Sequence, residues 1–235
     1  MEPMEDSVNG SVIALLPEGV EIPAGIRDLA SFRAWATSDS FPEGGRIDWV
    51  GGRMEVDMSP EDLNAHGTPK SAIATQMGIL IQEADRGAVF IDRARLSCPE
   101  ADLSVEPDVL VLLFSTLKSG KARMIPRASG EKGRYIEIEG TADLVVECVS
   151  DASVQKDRKR LRDRYHRAGV REYWIVDARG ESVELQLLVH RAAGYEPAAA
   201  DAEGFAPSQV LERRVRLVRR LQEAGLTIYR LEEVE

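Results

Sequence analysis

The segment that decides the fold spans residues 143–177 and reads DLVVECVSDASVQKDRKRLRDRYHRAGVREYWIVD. Its first part, 143–149, is an apolar run that starts at Asp143 and carries Glu147 in its interior, which is typical of a strand buried on both faces. The polar stretch that follows, from about 153 to 168, begins with N-cap residues and ends at a glycine, so it predicts a helix. EYWIVD, 172–177, predicts the next strand. Strand, helix and strand in this order favour an α/β fold.

A second apolar run, VEPDVLVLL at 105–113, also carries an acid, Asp108. An unpaired buried charge is costly, and two carboxylates on neighbouring strands repel each other unless a proton or a divalent metal lies between them. Mg²⁺ takes oxygen ligands from one or two carboxylates. Asp108 and Glu147 therefore predict a Mg²⁺ or Mn²⁺ site. Two other readings stay open: backbone amides satisfy Asp108, or an arginine of the basic helix pairs with Glu147.

Composition narrows the class of protein. The chain has 235 residues, a net charge of −10 and no apolar run of the roughly 18 residues that a membrane span needs. Its N-terminus, MEPMEDSVNG, has the wrong order for a secretory signal. The two cysteines, Cys98 and Cys148, lie fifty positions apart, so we expect a cytoplasmic protein without disulfides or a zinc site.

Basic residues are concentrated in two runs. Residues 156–171 carry eight lysines and arginines against two aspartates, and residues 212–220 carry five arginines against one glutamate. Such segregation permits a phosphate-binding face on an acidic body, with Arg158, Arg162 and Arg164 on the DNA side. Equally, both runs can be solvated faces of ordinary elements.

Periodicity gives the remaining elements. Apolar spacing predicts helices over about 26–37 and 64–86, and the alternating run RIDWVGGRMEVDMS predicts a hairpin that turns at Gly51-Gly52. Further strands are expected at 88–92, 94–98, 105–113 and 183–190.

Three stretches have weaker patterns. Residues 115–140 lack periodicity and predict a long loop or irregular insertion. The tail from 211 to 233 fits either a helix or a hairpin that turns near Ala224-Gly225. Residues 1–24 are expected to be a loose arm, and residues 25–235 a single domain.

Together these motifs resemble the Uma-type (Uma-two) family of restriction-endonuclease-like proteins, in the PD-(D/E)xK nuclease superfamily. The resemblance covers about residues 40–235. It rests on AGVREYWIVDARG above all, and also on EPDVLVL, DLVVECVS, RIDWVGGRMEVDMSP, the histidine of NAHG, and the helix with Asp157 and Tyr165. It implies a restriction-endonuclease-like core, in which a mixed β-sheet is flanked by helices.

The resemblance also implies a site. Asp108 and Glu147 would be metal ligands with the carbonyl of Cys148 as a third, and Asp48 falls on an acidic position of the family that lines the same cleft. The family's lysine falls on Leu161, between Asp157 and Tyr165. The candidates to replace it are Lys159, Arg158 and Lys156. Lys159 lies about 200° away on a helix, and arginine cannot deprotonate a water at neutral pH, so we expect Lys156 to be catalytic.

The function predicted is that of a metal-dependent endonuclease acting on DNA. The alternative is a catalytically silent member that keeps the fold as a binding or scaffold protein, with a homodimer as one form. Leu161 and the acidic net charge favour this alternative, whereas the intact Asp108 and Glu147 favour the enzyme. A cysteine hydrolase using Cys148 with His66 is a remote third reading.

Overall fold

The computed structural model describes residues 12–15, 21–127 and 131–235, with the backbone alone for 12–15. The strands in chain order are β1 (Val12–Leu15), β2 (Glu21–Pro23), β3 (Arg46–Val50), β4 (Met54–Asp57), β5 (Gly87–Ile91), β6 (Arg95–Cys98), β7 (Leu103–Val105), β8 (Val109–Leu113), β9 (Ala122–Pro126), β10 (Tyr135–Gly140), β11 (Leu144–Cys148), β12 (Glu172–Asp177), β13 (Glu184–Arg191), β14 (Gly194–Pro197), β15 (Ala206–Ser208), β16 (Arg213–Leu221) and β17 (Thr227–Val234). The helices are α1 (Leu29–Ala36), α2 (Thr68–Glu83), α3 (Phe114–Lys118) and α4 (Arg162–Arg167). A π-helical turn precedes α2 at Leu63–Gly67, and another precedes α4 at Lys156–Leu161.

The centre of the fold is a six-stranded mixed sheet with the order β14-β13-β12-β11-β8-β5. β11 pairs parallel with β12 and antiparallel with β8. Every residue of β11 is buried, as expected for an apolar strand covered on both faces. The strands predicted at 143–149 and 172–177, and the α/β class with a mixed sheet, are confirmed.

Helices and a second sheet cover the two faces of the central sheet. On one face α2 contributes Ile73, Met77 and Ile81, which are fully buried against strands of the central sheet and against β17. The other face packs on Leu161 and Tyr165, which belong to the helical segment formed by the second π-helical turn and α4. A six-stranded sheet of order β4-β3-β7-β6-β10-β9 packs on the same face. This second sheet carries β3 and therefore Asp48. The cleft between these layers is where the predicted acids lie.

The strand predicted over 105–113 is two strands in two different sheets. β7 ends at Val105 in the second sheet and β8 starts at Val109 in the central sheet. Pro107 lies between them, and proline has no N–H to donate to a strand ladder. The break sets Asp108 at the entrance of β8 instead of in the middle of a strand.

Other predictions on weak patterns are corrected. Residues 115–140 are not one long loop, because they contain α3, β9 and β10, and β10 pairs parallel with β6. The tail forms the hairpin β16–β17 rather than the alternative helix. Within the predicted arm, β1 pairs antiparallel with β2, while residues 1–11 and 16–20 lie outside the described residues.

Among the helices of the described residues, none combines the length and the apolar character that crossing a membrane requires.

Glu172 shows how the fold satisfies a buried acid far from the cleft. The side chain is 1% exposed at the start of β12. Its two oxygens accept four hydrogen bonds, three of which fasten the end of β15 and the residues after it to the sheet. The donors are Gln209 N (2.5 Å), Val210 N (3.0 Å), Ser208 Oγ (2.8 Å) and Trp174 Nε1 (3.1 Å).

We therefore expect Glu172→Gln to lower the free energy of unfolding by about 1–3 kcal/mol, because one acceptor oxygen becomes an amide donor that faces other donors. Glu196→Gln, on an exposed side chain of β14, is the control and should change it by less than about 0.5 kcal/mol. Urea denaturation measures both. Equal effects of the two substitutions would contradict this role of Glu172.

Candidate functional site

Asp108 and Glu147 are brought together by the antiparallel pairing of β8 and β11. Val109 pairs with Val146, so the continued register sets Asp108 opposite Glu147 and both side chains leave the same face of the sheet. The two residues are 3% and 1% exposed. The convergence expected from their neighbouring strands is therefore present in the geometry.

The guanidinium of Arg46, the first residue of β3, lies between the two acids and Asp48. Its Nη1 donates to Asp108 Oδ1 at 3.3 Å, its Nη2 to Glu147 Oε2 at 3.0 Å, and its Nε to Asp48 Oδ2 at 3.0 Å. Neither the proton nor the metal predicted from the sequence is needed to explain how the acids coexist, because a guanidinium separates them. Glu147 does pair with an arginine, but this arginine belongs to β3 and not to the basic helix.

The second oxygen of each of these three carboxylates is held by a donor of the fold. The donors are Glu106 N to Asp48 Oδ1 (3.0 Å), Cys148 N to Asp108 Oδ2 (2.6 Å) and Tyr165 Oη to Glu147 Oε1 (2.6 Å). The alternative in which backbone amides satisfy Asp108 therefore holds for one of its two oxygens. Each carboxylate is fixed through one oxygen and presents the other to Arg46.

Burial and charge set the pKa values of these groups. Burial acts to raise the pKa of Asp108, but the hydrogen bond with His66 and the charge of Arg46 outweigh it and lower that pKa to about 2. Burial raises the pKa of Glu147, opposed by Arg46 and reinforced by the charge of Asp108. Burial also opposes the ionisation of Asp48, yet Lys156 and Arg46 hold its pKa below the ordinary value. Asp108 is consequently the firmly ionised member of the pair.

His66 links Asp108 to the mouth of the cleft. It lies in the π-helical turn before α2, with Nε2 3.3 Å from Asp108 Oδ2 and Nδ1 2.7 Å from Glu61 Oε1. Lys70 Nζ in turn contacts Glu61 at 2.5 Å and Asp92 at 2.8 Å. Burial acts to lower the pKa of His66, but the interactions with Asp108 and Glu61 raise it to about 9. At neutral pH the imidazole is therefore a cation between two carboxylates.

Lys156 reaches the same cluster from the other side of the cleft. It lies in the second π-helical turn, it is 8% exposed, and its Nζ donates to Asp48 Oδ2 at 2.5 Å. Leu161, five residues later, is fully buried in the core. The expected separation of these two residues to cleft and core is therefore present. In the structure Lys156 Nζ contacts Asp48, and it makes no hydrogen bond or ion pair with Asp108 or Glu147.

Asp157 is a further acid next to this cluster. It is 2% exposed, Ser153 Oγ donates to its carboxylate, and burial together with the charge of Glu147 raises its pKa to about 7. The raised pKa sets Asp157 apart from Asp108 and Asp48, whose pKa values are lowered by neighbouring cations.

The site opens into a cleft of about 870 Å³ that is lined by residues of β3, β4, the α2 entrance and the 148–157 segment. Nine acidic residues line it, against five lysines and arginines. A polyanion is repelled by such a surface, whereas a divalent cation is attracted. This charge balance bears directly on what can bind there.

The first basic run is largely used inside the protein. Arg158 pairs with Asp177 and Glu184, and Arg160 with Glu55. Arg162 and Arg164 donate to backbone carbonyls, and Arg171 pairs with Asp143. The expectation that Arg158, Arg162 and Arg164 face DNA phosphates therefore loses its support, because these side chains already have partners in the fold.

Cys148 does not have the character of a nucleophile. Its side chain is 2% exposed, and burial together with the charges of Asp108 and Glu147 raises the pKa of its thiol well above the ordinary value. Activated cysteines show the opposite shift. The cysteine-hydrolase reading is therefore wrong. The predicted role of the Cys148 carbonyl as a metal ligand stays a prediction.

The donor chemistry of the cluster fits a hard divalent cation, since three carboxylates point oxygens at one central positive charge. Within the described ranges, however, no group of three His, Cys, Asp or Glu donors is spaced to hold a metal as it stands. A guanidinium is wider than Mg²⁺, which requires oxygens at about 2.0–2.1 Å. The three carboxylates would therefore have to move closer together to bind the ion once the guanidinium leaves.

Sequence reasoning missed Arg46 and the Tyr165 hydroxyl. The available signal for Arg46 was its position two residues before Asp48 in an alternating strand, which puts both side chains on one face. Its contacts with Asp108 and Glu147 join residues 62 and 101 positions apart, and no local pattern reveals such distances.

His66 generates a pH-dependent prediction. A histidine whose pKa is raised from about 6.5 to about 9 contributes stability that is complete below pH 6.5 and is lost as pH rises through 9. We expect the metal-free protein to lose on the order of 2–3 kcal/mol of unfolding free energy over this range. His66→Gln should flatten the loss, whereas His190→Gln on β13 should keep it. Urea denaturation in EDTA between pH 6 and 9.5 is the measurement, and an unchanged slope in His66→Gln would refute the assignment.

Comparisons with known proteins agree with this fold. A family model, Uma2, described as "Putative restriction endonuclease", matches residues 29–220. The search of curated proteins gave no match. A crystal structure described as a "putative nuclease belonging to DUF820" from Anabaena variabilis matches with a TM-score of 0.57 and 16% identity, covering 80% of this chain and 91% of that one. At that identity the likeness speaks for the fold alone. Because the family model covers most of the chain, this protein belongs to the Uma2 family.

Proposed function

We propose that this protein is a metal-dependent endonuclease that hydrolyses DNA phosphodiester bonds with Mg²⁺ or Mn²⁺. One observation carries the proposal: three buried carboxylates, Asp48, Asp108 and Glu147, come from three strands and converge on one cation at the base of a large cleft. A nuclease family and a likeness to a nuclease fold add support.

Asp108 and Glu147 would hold the metal, with the Cys148 carbonyl as a third ligand. When bound, such an ion polarises a phosphodiester and lowers the pKa of a coordinated water. Tyr165 fixes the orientation of Glu147 through its hydroxyl, and Cys148 N fixes Asp108. Once the carboxylates have closed on the ion, these anchors would keep the ligand oxygens aimed at it during the reaction.

Lys156 would supply the positive charge that the family places at the Leu161 position. Its ammonium group is buried next to Asp48, so the charge acts in a region of low dielectric. There it offsets the negative charge of the acid cluster. Lys156 is thus proposed as the lysine that stabilises the transition state, acting at the edge of the cluster.

Because the cleft is acidic, DNA would need the metal in order to bind as well as to be cleaved. DNA phosphates face a surface with more carboxylates than cations, and a divalent ion converts the base of the cleft into a phosphate site. The arginines of the basic helix are paired with their own chain and contribute little. Binding of DNA is therefore proposed to depend on the metal rather than on a basic surface.

The second candidate is a catalytically silent member that acts as a binding or scaffold protein, with a homodimer as one form. Leu161 in the lysine position and the guanidinium of Arg46 on the acids favour it. A silent protein needs no exchange of this guanidinium for a metal. The two candidates differ in whether metal-dependent cleavage occurs at all.

Cleavage of supercoiled plasmid DNA is expected with Mg²⁺ or Mn²⁺ and not with EDTA. Asp108→Asn and Glu147→Gln should each lower the rate at least about a hundredfold, because each removes a charged oxygen from the metal. Lys156→Met should lower it as well, by a smaller factor. Gel assays over time give these rates.

Glu172→Gln is the matched control, since it removes a buried carboxylate at the other end of the β11–β12 strand pair. It should lower stability yet leave the rate per folded molecule near the wild-type value. Wild-type protein that cleaves no DNA with either metal would sink the nuclease proposal and favour the silent member. Equal rates for wild type and Asp108→Asn would remove Asp108 from the site.

DNA binding can be measured separately from cleavage when Mg²⁺ is replaced by Ca²⁺, which also takes oxygen ligands. A labelled duplex is expected to bind at least about tenfold tighter in Ca²⁺ than in EDTA at the same ionic strength, because the divalent charge offsets the acidic cleft. Fluorescence anisotropy measures the two affinities. Equal affinities in the two solutions would argue against a metal-dependent DNA site.

A further inference from the structure

The acid cluster is short of positive charge when Arg46 is its central cation. Asp48, Asp108 and Glu147 bring three carboxylates, while Arg46 and Lys156 bring two positive charges. His66 and Lys70 add two cations, but Glu61 and Asp92, which they contact, offset them. A divalent ion in place of the guanidinium would balance the three carboxylates together with Lys156.

Each carboxylate is anchored through one oxygen, and the guanidinium is the member of the cluster that can leave. Each acid is buried and anchored through its second oxygen by a backbone amide or by Tyr165. The side chain of Arg46 is 25% exposed and lines the open cleft. It also stands at the start of β3, directly after Gly44 and Gly45. A guanidinium that leaves the acids can therefore enter solvent without a rearrangement of the core.

We propose that Arg46 is a built-in counter-cation that holds the three carboxylates in place without metal and competes with the divalent ion for them. This inference rests on the proposed metal site. Arg46 is then a positioning residue: it keeps a cluster of like charges folded, and the metal binds only as the guanidinium withdraws into the cleft. The affinity of the site for metal is set by this exchange as well as by its ligands.

The planar fork of arginine is what allows one residue to contact three acids. Lysine carries the same charge as a compact point charge and cannot present three donors in these directions. Methionine keeps an unbranched apolar stem but removes the charge. Arg46→Lys and Arg46→Met should therefore weaken the competition with the metal to different degrees. Arg53→Met is the matched control, because Arg53 is exposed at the turn of the same hairpin.

The experiment is calorimetric titration of Mn²⁺ into the full chain at fixed pH and ionic strength. Arg46→Met should bind Mn²⁺ at least about tenfold tighter than the wild type, which corresponds to about 1.4 kcal/mol. Arg46→Lys should fall between the two, and Arg53→Met should match the wild type. Asp108→Asn added to each variant should abolish the binding, which locates the ion at this cluster.

A second measurement needs no destabilised variant. The Nε–H signal of Arg46 in ¹⁵N-labelled wild-type protein, assigned by its loss in Arg46→Lys, should shift on titration with Mg²⁺ as the contact with Asp48 breaks. If Arg46→Met does not fold, Arg46→Lys and this signal decide the question.

The outcomes separate the inference from the proposed function. Equal Mn²⁺ affinities in wild type and Arg46 variants, with an unmoved Nε–H signal, would overturn the competition but leave the metal site standing. Absence of Mn²⁺ binding to every variant would overturn both. Weak or absent binding to the wild type that becomes tight in Arg46→Met supports the inference directly.

Discussion

Two buried carboxylates that face each other across the β8–β11 pair are the constraint on which the rest of the site depends. Asp108 and Glu147 cannot both stay charged in an apolar sheet without cations close by. Each layer around the central sheet supplies one: the second sheet brings Arg46 on β3, the entrance of α2 brings His66, and the helical segment before α4 brings Lys156. The layers are thus joined by charge as well as by their apolar cores.

Buried acids in this chain fall into two kinds, and the difference identifies the site. Asp143 and Glu172 take most of their hydrogen bonds from backbone amides, hydroxyls and an indole, which fasten one segment to another. Asp108 and Glu147 have one such anchor each and present the other oxygen to a cation. An acid with every oxygen used by the fold serves structure, whereas an acid with one oxygen turned to an exchangeable cation is able to bind something else.

Local patterns in the sequence predict the strands and the apolar side of the helix, but they do not predict which residues contact the buried acids. Strands β11 and β12 follow from apolar runs, and burial of Leu161 follows from helical spacing. The division of 105–113 between two sheets depends on Pro107 and on pairings with distant strands. The role of Arg46 depends on the packing of β3 against β8 and β11, which lie 62 to 101 positions later. Contacts over such distances leave no periodic signal.

Leu161 explains why Glu147, on β11, depends on a cation from outside the helical segment that carries Tyr165. Leu161 and Tyr165 are four residues apart, on one face of the helical segment, and the hydroxyl of Tyr165 touches Glu147. A lysine at 161 would carry a positive charge on the same face as Tyr165, whereas leucine carries no charge and is fully buried in the core. Glu147 is left with a raised pKa and with Arg46 as its cationic partner. Leucine at 161 therefore does not leave the site without positive charge. The charge comes from Arg46 on β3 and from Lys156, so the state of Glu147 depends on which cation lies between the acids.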